Sequence, residues 1–243
     1  MNKKKVVIFY GRKIGKKILQ ILNKNQDIEI ISTISTSKIR KNKHIQFNKN
    51  QKNKSWKLIY EKLKKIDNFT IITAWWGFII PKKILKLSNM NTINLHPSYL
   101  PYGRGKYPNI WAILKNEPFG ASLCSLGAGI DNGGIYCQKK INVKFDSTAE
   151  NLYNQSLKLC LDLFTKNYKK ILYGKLKPKN KLVTGSYYHS KKIENLRKLN
   201  LNKSYKLSAL IKLINASSFK GYQKPYFLRN RKKYYLDFKT SKN

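Results

Sequence analysis

The run Lys5-Val6-Val7-Ile8-Phe9-Tyr10 stops at Gly11, and Gly15-Lys16-Lys17-Ile18-Leu19-Gln20-Ile21-Leu22 follows with helical spacing of its apolar residues. A continuous apolar run of this length is the pattern of a buried strand. Strand, glycine turn and helix together predict the first unit of a parallel α/β sheet. The alternation continues: Ile28–Ile34 and Phe69–Ala74 predict further strands, and Trp56–Ile66 between them has an amphipathic helical pattern. Ile79–Leu85 opens a helix with Pro81 near its first turn. Met90–Leu95 then leads into a strand carrying Asn94 and His96. Ser35–Lys54, polar and lysine-rich, predicts a surface loop or weakly ordered insertion. Gly11 and Gly15 do not make G-x-G-x-x-G, and no Walker-type lysine loop occurs. The first turn is therefore read as a tight entry into a helix.

Beyond Pro97 and Pro101, Pro108–Asn116 has a short helix pattern. Ala121–Leu126 and Gly134–Val143 predict strands, joined by the glycine-rich Gly127–Gly133. Thr148–Tyr173 is a long amphipathic helix, with Ser147 or Thr148 placed to cap it near Glu150. Lys175–Lys181 is a charged linker. Glu194–Leu199 and Leu207–Ala216 read as helices, and Tyr226–Leu236 as two strands around a basic turn. No internal repeat is visible.

At 243 residues the chain can bury one substantial core and a small appendage, and its 41% hydrophobic content fits a globular protein. Its 51 Lys+Arg against 11 Asp+Glu give a net charge of +40, a field that attracts nucleic acids, phosphorylated metabolites or anionic surfaces. Most of the excess is Lys, beside abundant Asn and Ile. That is the codon bias of an AT-rich genome, to which we give the larger share. Cys124, Cys137 and Cys160 form no C-x-x-C pair and have no metal-ligand spacing with the three histidines, so no metal is expected. Cys124 and Cys137 lie in apolar segments and read as buried thiols. The apolar stretch after Met1–Lys5 is too short for a signal peptide, and no run approaches a membrane span. The expected compartment is the cytoplasm, with no membrane partner.

Chemistry concentrates in Asn94-Leu95-His96-Pro97-Ser98-Tyr99-Leu100-Pro101 and in Gly129-Ile130-Asp131. Asn94 and His96 stand two apart on an extended segment and so project to one face, and the prolines end the strand there. An amide, an imidazole and a distant carboxylate can bind a carbonyl oxygen, accept a proton and orient the acceptor. That set suits acyl transfer to an amine.

With Arg104-Gly105, Pro108 and Trp111-Ala112-Ile113, these pieces resemble the folate-dependent formyltransferases, in the right order from about residue 5 to about 175. Taken singly, Asn94 could cap a strand end, His96 anchor a loop and Asp131 form a turn. Jointly, in the family's order, they point to catalysis. The resemblance implies a Rossmann-like α/β core with a mostly parallel sheet of the seven-strand type, and 10-formyltetrahydrofolate as formyl donor. It carries Asn94, His96 and Asp131 over as a catalytic trio, with Asn94 and protonated His96 stabilising the oxyanion and Asp131 setting the protonation of His96. Trp76, Gly77, Phe78 and Ile79 match the place where the family holds the pterin, and the loop Leu126–Gly133, with Leu126 and Gly129, lies beside it.

Three branches of that family differ in the amine they formylate. The net charge of +40 favours methionyl-tRNA formyltransferase, but the sixty or so residues after the linker are too few for its C-terminal barrel. Lys106-Tyr107 also stands where that branch has two small residues. The glycinamide ribonucleotide branch ends near the long helix. The sugar N-formyltransferases are resembled by Arg104–Ile113, by Gly185–Lys192, and by Leu210–Ala216 through Gly221–Phe227. Two departures are Gln223-Lys224-Pro225 in place of a more compact turn and Asn132-Gly133-Gly134 after the aspartate. This resemblance implies a catalytic domain over 1–175 and a linker, helix and β-hairpin extension over 176–243 that helps form a homodimer. The acceptor would be a dTDP- or UDP-linked 4-amino or 3-amino deoxysugar for a surface polysaccharide such as a lipopolysaccharide O-antigen. Arg104, Gly105 and Lys106 would meet its phosphates, and Tyr222 would stack on its base or sugar. No nucleic acid enters this leading reading. A non-catalytic basic nucleic-acid-binding protein, using Tyr222–Phe238, is the remaining alternative.

Overall fold

In the computed structural model, β1 (Lys4–Tyr10) leads through Gly11 into α1 (Arg12–Asn23), which buries Ile14, Ile18 and Leu22 one turn apart. β2 (Ile28–Ser35), β3 (His44–Gln46), α2 (Lys52–Leu63), β4 (Phe69–Ala74), α3 (Lys82–Leu87) and β5 (Thr92–His96) follow. Then come β6 (Arg104–Gly105), α4 (Pro108–Lys115), β7 (Phe119–Cys124), β8 (Ile135–Ile141) and α5 (Ala149–Leu172). The chain ends with β9 (Tyr187–Tyr188), α6 (Lys192–Arg197), α7 (Leu207–Ser217) and the hairpin β10 (Tyr226–Arg229) and β11 (Lys232–Tyr235). The described residues are 3–39, 42–127, 129–179, 184–189 and 192–237. Ala128 of the glycine-rich turn, Asn180 and Lys181 at the end of the charged linker, Ser190-Lys191 and Phe238 lie outside them.

Seven strands form one sheet in the order β3-β2-β1-β4-β5-β7-β8. β1 pairs in parallel with β2 and β4, β2 with β3, and β4 with β5, while β5 and β7 run antiparallel. This is the mostly parallel α/β sheet expected. The order steps outward from β1 in both directions, so the crevice beyond the carboxyl ends of the central strands is where such sheets bind ligands.

Two compact units share the chain: Met1–His96, Ser122–Gln138 and Cys160–Leu182 in one, and Pro97–Ala121, Lys139–Leu159 and Val183–Asn243 in the other. The first is centred on Val7, Phe9, Ile34, Phe47, Trp56, Ile59, Phe69 and Ile71. The second packs Ile110, Trp111, Phe119, Leu152, Ile193 and Ala216.

Within Ser35–Lys54, a third strand at the sheet edge and the start of a helix appear among the described residues, more structure than the composition suggests. Thr33, Ile34 and Ser35 pair with His44, Ile45 and Gln46, and α2 already begins at Lys52. Ile45 and Phe47 are 3% and 1% exposed and anchor this edge strand, whose three residues are too few to show alternation. The Thr148 hydroxyl accepts from the Asn151 amide at 3.2 Å and caps α5, whereas Ser147 accepts from the Lys144 amide at 2.8 Å. In the hairpin, Asn230 and Arg231 take φ of 48° and 59°, the left-handed pair of a tight two-residue turn. Among the described residues no helix is long and apolar enough to cross a membrane.

Candidate active site

β5 ends the parallel part of the sheet, and its last residues bring Asn94 and His96 to the carboxyl edge. His96 is 7% exposed, and its Nδ1 lies 3.4 Å from Asp131 Oδ1. Its Nε2 is buried and has no hydrogen-bond partner among the described residues. A buried imidazole nitrogen left unpaired calls for an explanation, and a ligand oxygen at this position would supply the partner. Asn94, half-buried, accepts a hydrogen bond from the Thr73 hydroxyl at 2.6 Å and donates to Cys124 Sγ at 3.5 Å. The Cys160 thiol donates to the main-chain oxygen of His96 at 3.6 Å.

The loop after β7 delivers Asp131. Its root is tied down: the Leu126 amide donates to Thr92 Oγ1 at 2.7 Å, and Ser125 and Gly134 exchange bonds at 2.8 and 2.9 Å. Gly133 runs so close to the Ser125 carbonyl that a side chain there would collide with it. The Gly129 amide donates to Asn132 Oδ1 at 3.0 Å, folding the loop on itself, and Asp131 takes a φ of 49°. Asp is one of the residues that enters the left-handed region readily, and here that turn sets its carboxylate against the His96 ring. Burial, with the charge of Asp131 adding, pushes the Cys124 thiol up to about 12 despite its bond from Asn94. This sulfur is a neutral thiol at the site. Burial raises Cys160 and the half-buried Cys137 as well.

Trp76, Phe78 and Leu126 pack against the core aromatics of the same unit. The Trp76 ring meets Phe9 at 5.4 Å and Phe47 at 5.1 Å, both edge-on, and its Nε1 is buried with no partner among the described residues. Gly77 and Ile79 face outward: nothing stands within 4 Å of where a Gly77 side chain would be, and Ile79 is 71% exposed. The strip from Trp76 to Ile79 with Leu126 is thus an apolar shelf, open along Gly77 and Ile79.

The second unit holds the remaining predicted residues. Arg104 and Gly105 form β6, which pairs with β9, and the amides of Arg104 and Lys106 donate to Ser186 O and Tyr188 O at 3.0 and 3.1 Å. Gly105, at φ 92°, lies against the Tyr188 carbonyl and the Tyr187 ring, leaving no room for a side chain. Glu117 holds this strap by accepting from Ser186 Oγ at 2.5 Å and from the Tyr188 hydroxyl. Arg104 Nε is buried without a partner among the described residues, whereas Lys106 is exposed. Tyr222 stacks on Phe219 at 4.8 Å, meets Tyr107 edge-on at 5.9 Å, and has the Arg197 guanidinium 5.3 Å from its ring.

The structure therefore gathers Asn94, His96 and Asp131, sets Trp76, Phe78 and Leu126 on one cluster, and puts Arg104, Gly105, Lys106 and Tyr222 in the other unit. Sequence reasoning missed Thr73, Cys124 and Glu117 as supports. Thr73 and Cys124 sit in apolar runs, and only strand order shows that they flank Asn94. Glu117 carried a signal, an acid standing between a helix and a fully buried strand. Among the described residues no three His, Cys, Asp or Glu gather as metal ligands.

Known proteins match this chain along most of its length. Residues 4–166 match the formyl transferase family, and residues 192–242 match the N-formyltransferase dimerization C-terminal domain. A 4-N formyltransferase from Francisella tularensis superposes with a TM-score of 0.83 at 20% identity, over 99% of both chains. WlaRD, a sugar 3N-formyl transferase solved in the presence of dTDP and 5-N-formyl-THF, gives 0.71 at 26% identity, over 96% of this chain and 85% of that one. The methionyl-tRNA formyltransferase of Malacoplasma penetrans (strain HF-2) is 30% identical over 166 residues, 67% of this chain and 51% of that protein. The chain spans about half the length of the curated relatives it matches. With residues 4–166 matched as a continuous run, the chain belongs to the formyl transferase family.

Proposed function

We propose that this protein is a folate-dependent N-formyltransferase that formylates a dTDP- or UDP-linked 4-amino or 3-amino deoxysugar for surface polysaccharide assembly. The observation that carries the choice of substrate is the C-terminal helix and hairpin. They lie in the 192–242 match to the N-formyltransferase dimerization domain, and the fold of a sugar N-formyltransferase from Shewanella sp FDAARGOS_354 aligns over 99% of both chains.

The residues present fit the donor. The apolar strip at Trp76–Ile79 and Leu126 suits a ring system, and the buried unpaired Nε2 of His96 suits an incoming carbonyl oxygen. Trp76, Gly77, Phe78, Ile79, Leu126 and Gly129 would hold 10-formyltetrahydrofolate, which supplies the formyl group when bound. Asn94 Nδ2 and His96 Nε2 would donate to the formyl oxygen as it gains negative charge during attack by the amine. Donors already aimed in a buried site stabilise such charge without reorganising. Asp131, facing Nδ1, would keep Nε2 turned to the substrate and help carry off, through water, the proton lost by the amine. Arg104 and Lys106 would meet the diphosphate, with Gly105 letting the backbone between them lie flat on the strap, and Tyr222 would stack on the base or sugar. Two chains would associate through the C-terminal extension, and analytical ultracentrifugation should then show a two-chain species.

A second reading, methionyl-tRNA formyltransferase, is favoured by relatives near 30% identity and by the net charge of +40. One experiment separates the two. The purified protein is given 10-formyltetrahydrofolate with a panel of dTDP- and UDP-linked 3- and 4-amino sugars, and with methionyl-tRNA in parallel. Mass spectrometry should find a gained formyl group on a nucleotide sugar, lost in Asp131→Asn. Formylation of the tRNA alone would establish the second reading. Salt-dependent RNA binding with no transfer to either would leave a binding protein.

A further inference from the structure

Across the middle of the sheet, Thr73 of β4 pairs in register with Asn94 of β5, and Asn94 with Cys124 of β7. Registered neighbours project to one face, so these three side chains form a row with the amide at its centre. Thr73 Oγ1–H donates to Asn94 Oδ1 at 2.6 Å, and Asn94 Nδ2–H donates to Cys124 Sγ at 3.5 Å. Thr73 is 3% exposed and Cys124 0%. A hydroxyl this buried is costly unless it is bonded.

The row determines which way the amide faces. The Cys124 thiol directs its own proton to the main-chain oxygen of Asn94, 3.8 Å away, so its sulfur offers the side chain a lone pair. Turning the amide over would set Oδ1 against that lone pair, two acceptors opposed. With the carbonyl held by Thr73 and one N–H by Cys124, a second Nδ2–H remains.

We propose that Thr73 and Cys124 are positioning residues that hold the Asn94 side-chain amide in the one orientation presenting its second N–H to the formyl oxygen. This rests on the catalytic reading of Asn94 given above. Thr73→Val keeps the branched shape and removes the donor. With 10-formyltetrahydrofolate and a dTDP-linked 4-amino-4,6-dideoxyhexose, its kcat should fall about tenfold to a hundredfold while both KM values stay within about twofold. Thr73→Ser should recover the rate, and Cys124→Ala should fall in the same direction by less. In an Asn94→Ala background Thr73→Val should add nothing, because the two act as a unit.

A readout free of turnover keeps the test independent of the acceptor. In the ligand-free protein the two Nδ2 protons of Asn94 should give a resolved, slowly exchanging NMR pair, which exchanges faster in Thr73→Val. If that variant does not fold, Cys124→Ala carries both readouts. An unchanged proton pair, a kcat close to the parent's, or an equal loss with and without Asn94 overturns the positioning role and leaves Asn94 catalytic. An Asn94→Ala enzyme as active as its parent overturns the catalytic reading and this role with it.

Discussion

The amide of Asn94 and the imidazole of His96 stand two residues apart at the end of β5, and in the proposed reaction both donate to the formyl oxygen, so each should be separately indispensable. Removing a well-aimed oxyanion donor typically lowers turnover about a hundred- to a thousandfold. Asn94→Ala should show that loss, and His96→Ala and Asp131→Ala at least as much, in steady-state kinetics on protein whose thermal melt matches the parent's. The cysteines give a second test at this scale. Cys124 and Cys160 are fully buried neutral thiols, whereas Cys137 is half-buried. Thiolate is the reactive form, so iodoacetamide at pH 8 should label Cys137 first and reach the other two only on unfolding, as read by peptide mass spectrometry. Asn94 and His96 were legible in sequence because polar residues at the end of an apolar run stand out, whereas Asp131, in a glycine-rich turn, was picked out only by the order of segments that resembles the family. Thr73 was not, since a threonine inside a strand is ordinary and its importance comes from the strand beside it.

Among the elements, the β6–β9 ladder is the smallest and the least legible, two residues on each strand. No alternation can show in so short a segment, and the pairing joins residues more than eighty positions apart, as Arg104 with Tyr187. Its stability hangs on Gly105. Gly105→Ala must put a side chain at positive φ against the Tyr188 carbonyl, a strain of about 1–3 kcal/mol. Urea denaturation should show that loss, and protease should cut the freed 184–189 segment sooner. The cap of α5 is a milder case. Thr148→Ala should lower stability by about 1 kcal/mol, the usual cost of an N-cap hydroxyl, and Ser147→Ala tests the competing assignment by leaving the cap in place.

For the whole molecule, the weak acids whose pKa the fold raises make stability fall at alkaline pH. Burial, above all, lifts Cys124 from 9.0 to about 12, and burial with the charge of Cys124 lifts Tyr136 from 10.0 to about 12. Burial, then the bond to Glu117, lifts Tyr188 from 10.0 to about 12. Each folded-state value lies above the unfolded one, so the folded chain keeps protons that the unfolded chain would release. Their contribution is fully present below the unfolded values and is lost as pH rises through the folded ones. Urea midpoints should hold near pH 8 and fall steadily between pH 9 and 12. The net charge of +40 acts at the same scale. If it draws in a diphosphate acceptor, kcat/KM should decline as salt is raised, because screening shortens the reach of the field.

Local order in the sequence determined much of this protein. Apolar runs long enough to be buried became β1, β4, β5 and β7, the more mixed segments became β2 and the half-exposed β8, and a 3.6-residue period became α1, α2 and α5, because strands and helices answer to side-chain spacing along a single segment. The strand that ends in Asn94 and His96 was fixed in the same way. Tertiary structure alone decided the rest. It showed that β4 and β7 flank β5, that a φ of 49° turns Asp131 onto His96, and that Glu117 straps Tyr188 to the chain beside Arg104. These are contacts between residues distant in sequence. They depend on strand order, register and close approach of backbones, and none of these leaves a period in the chain.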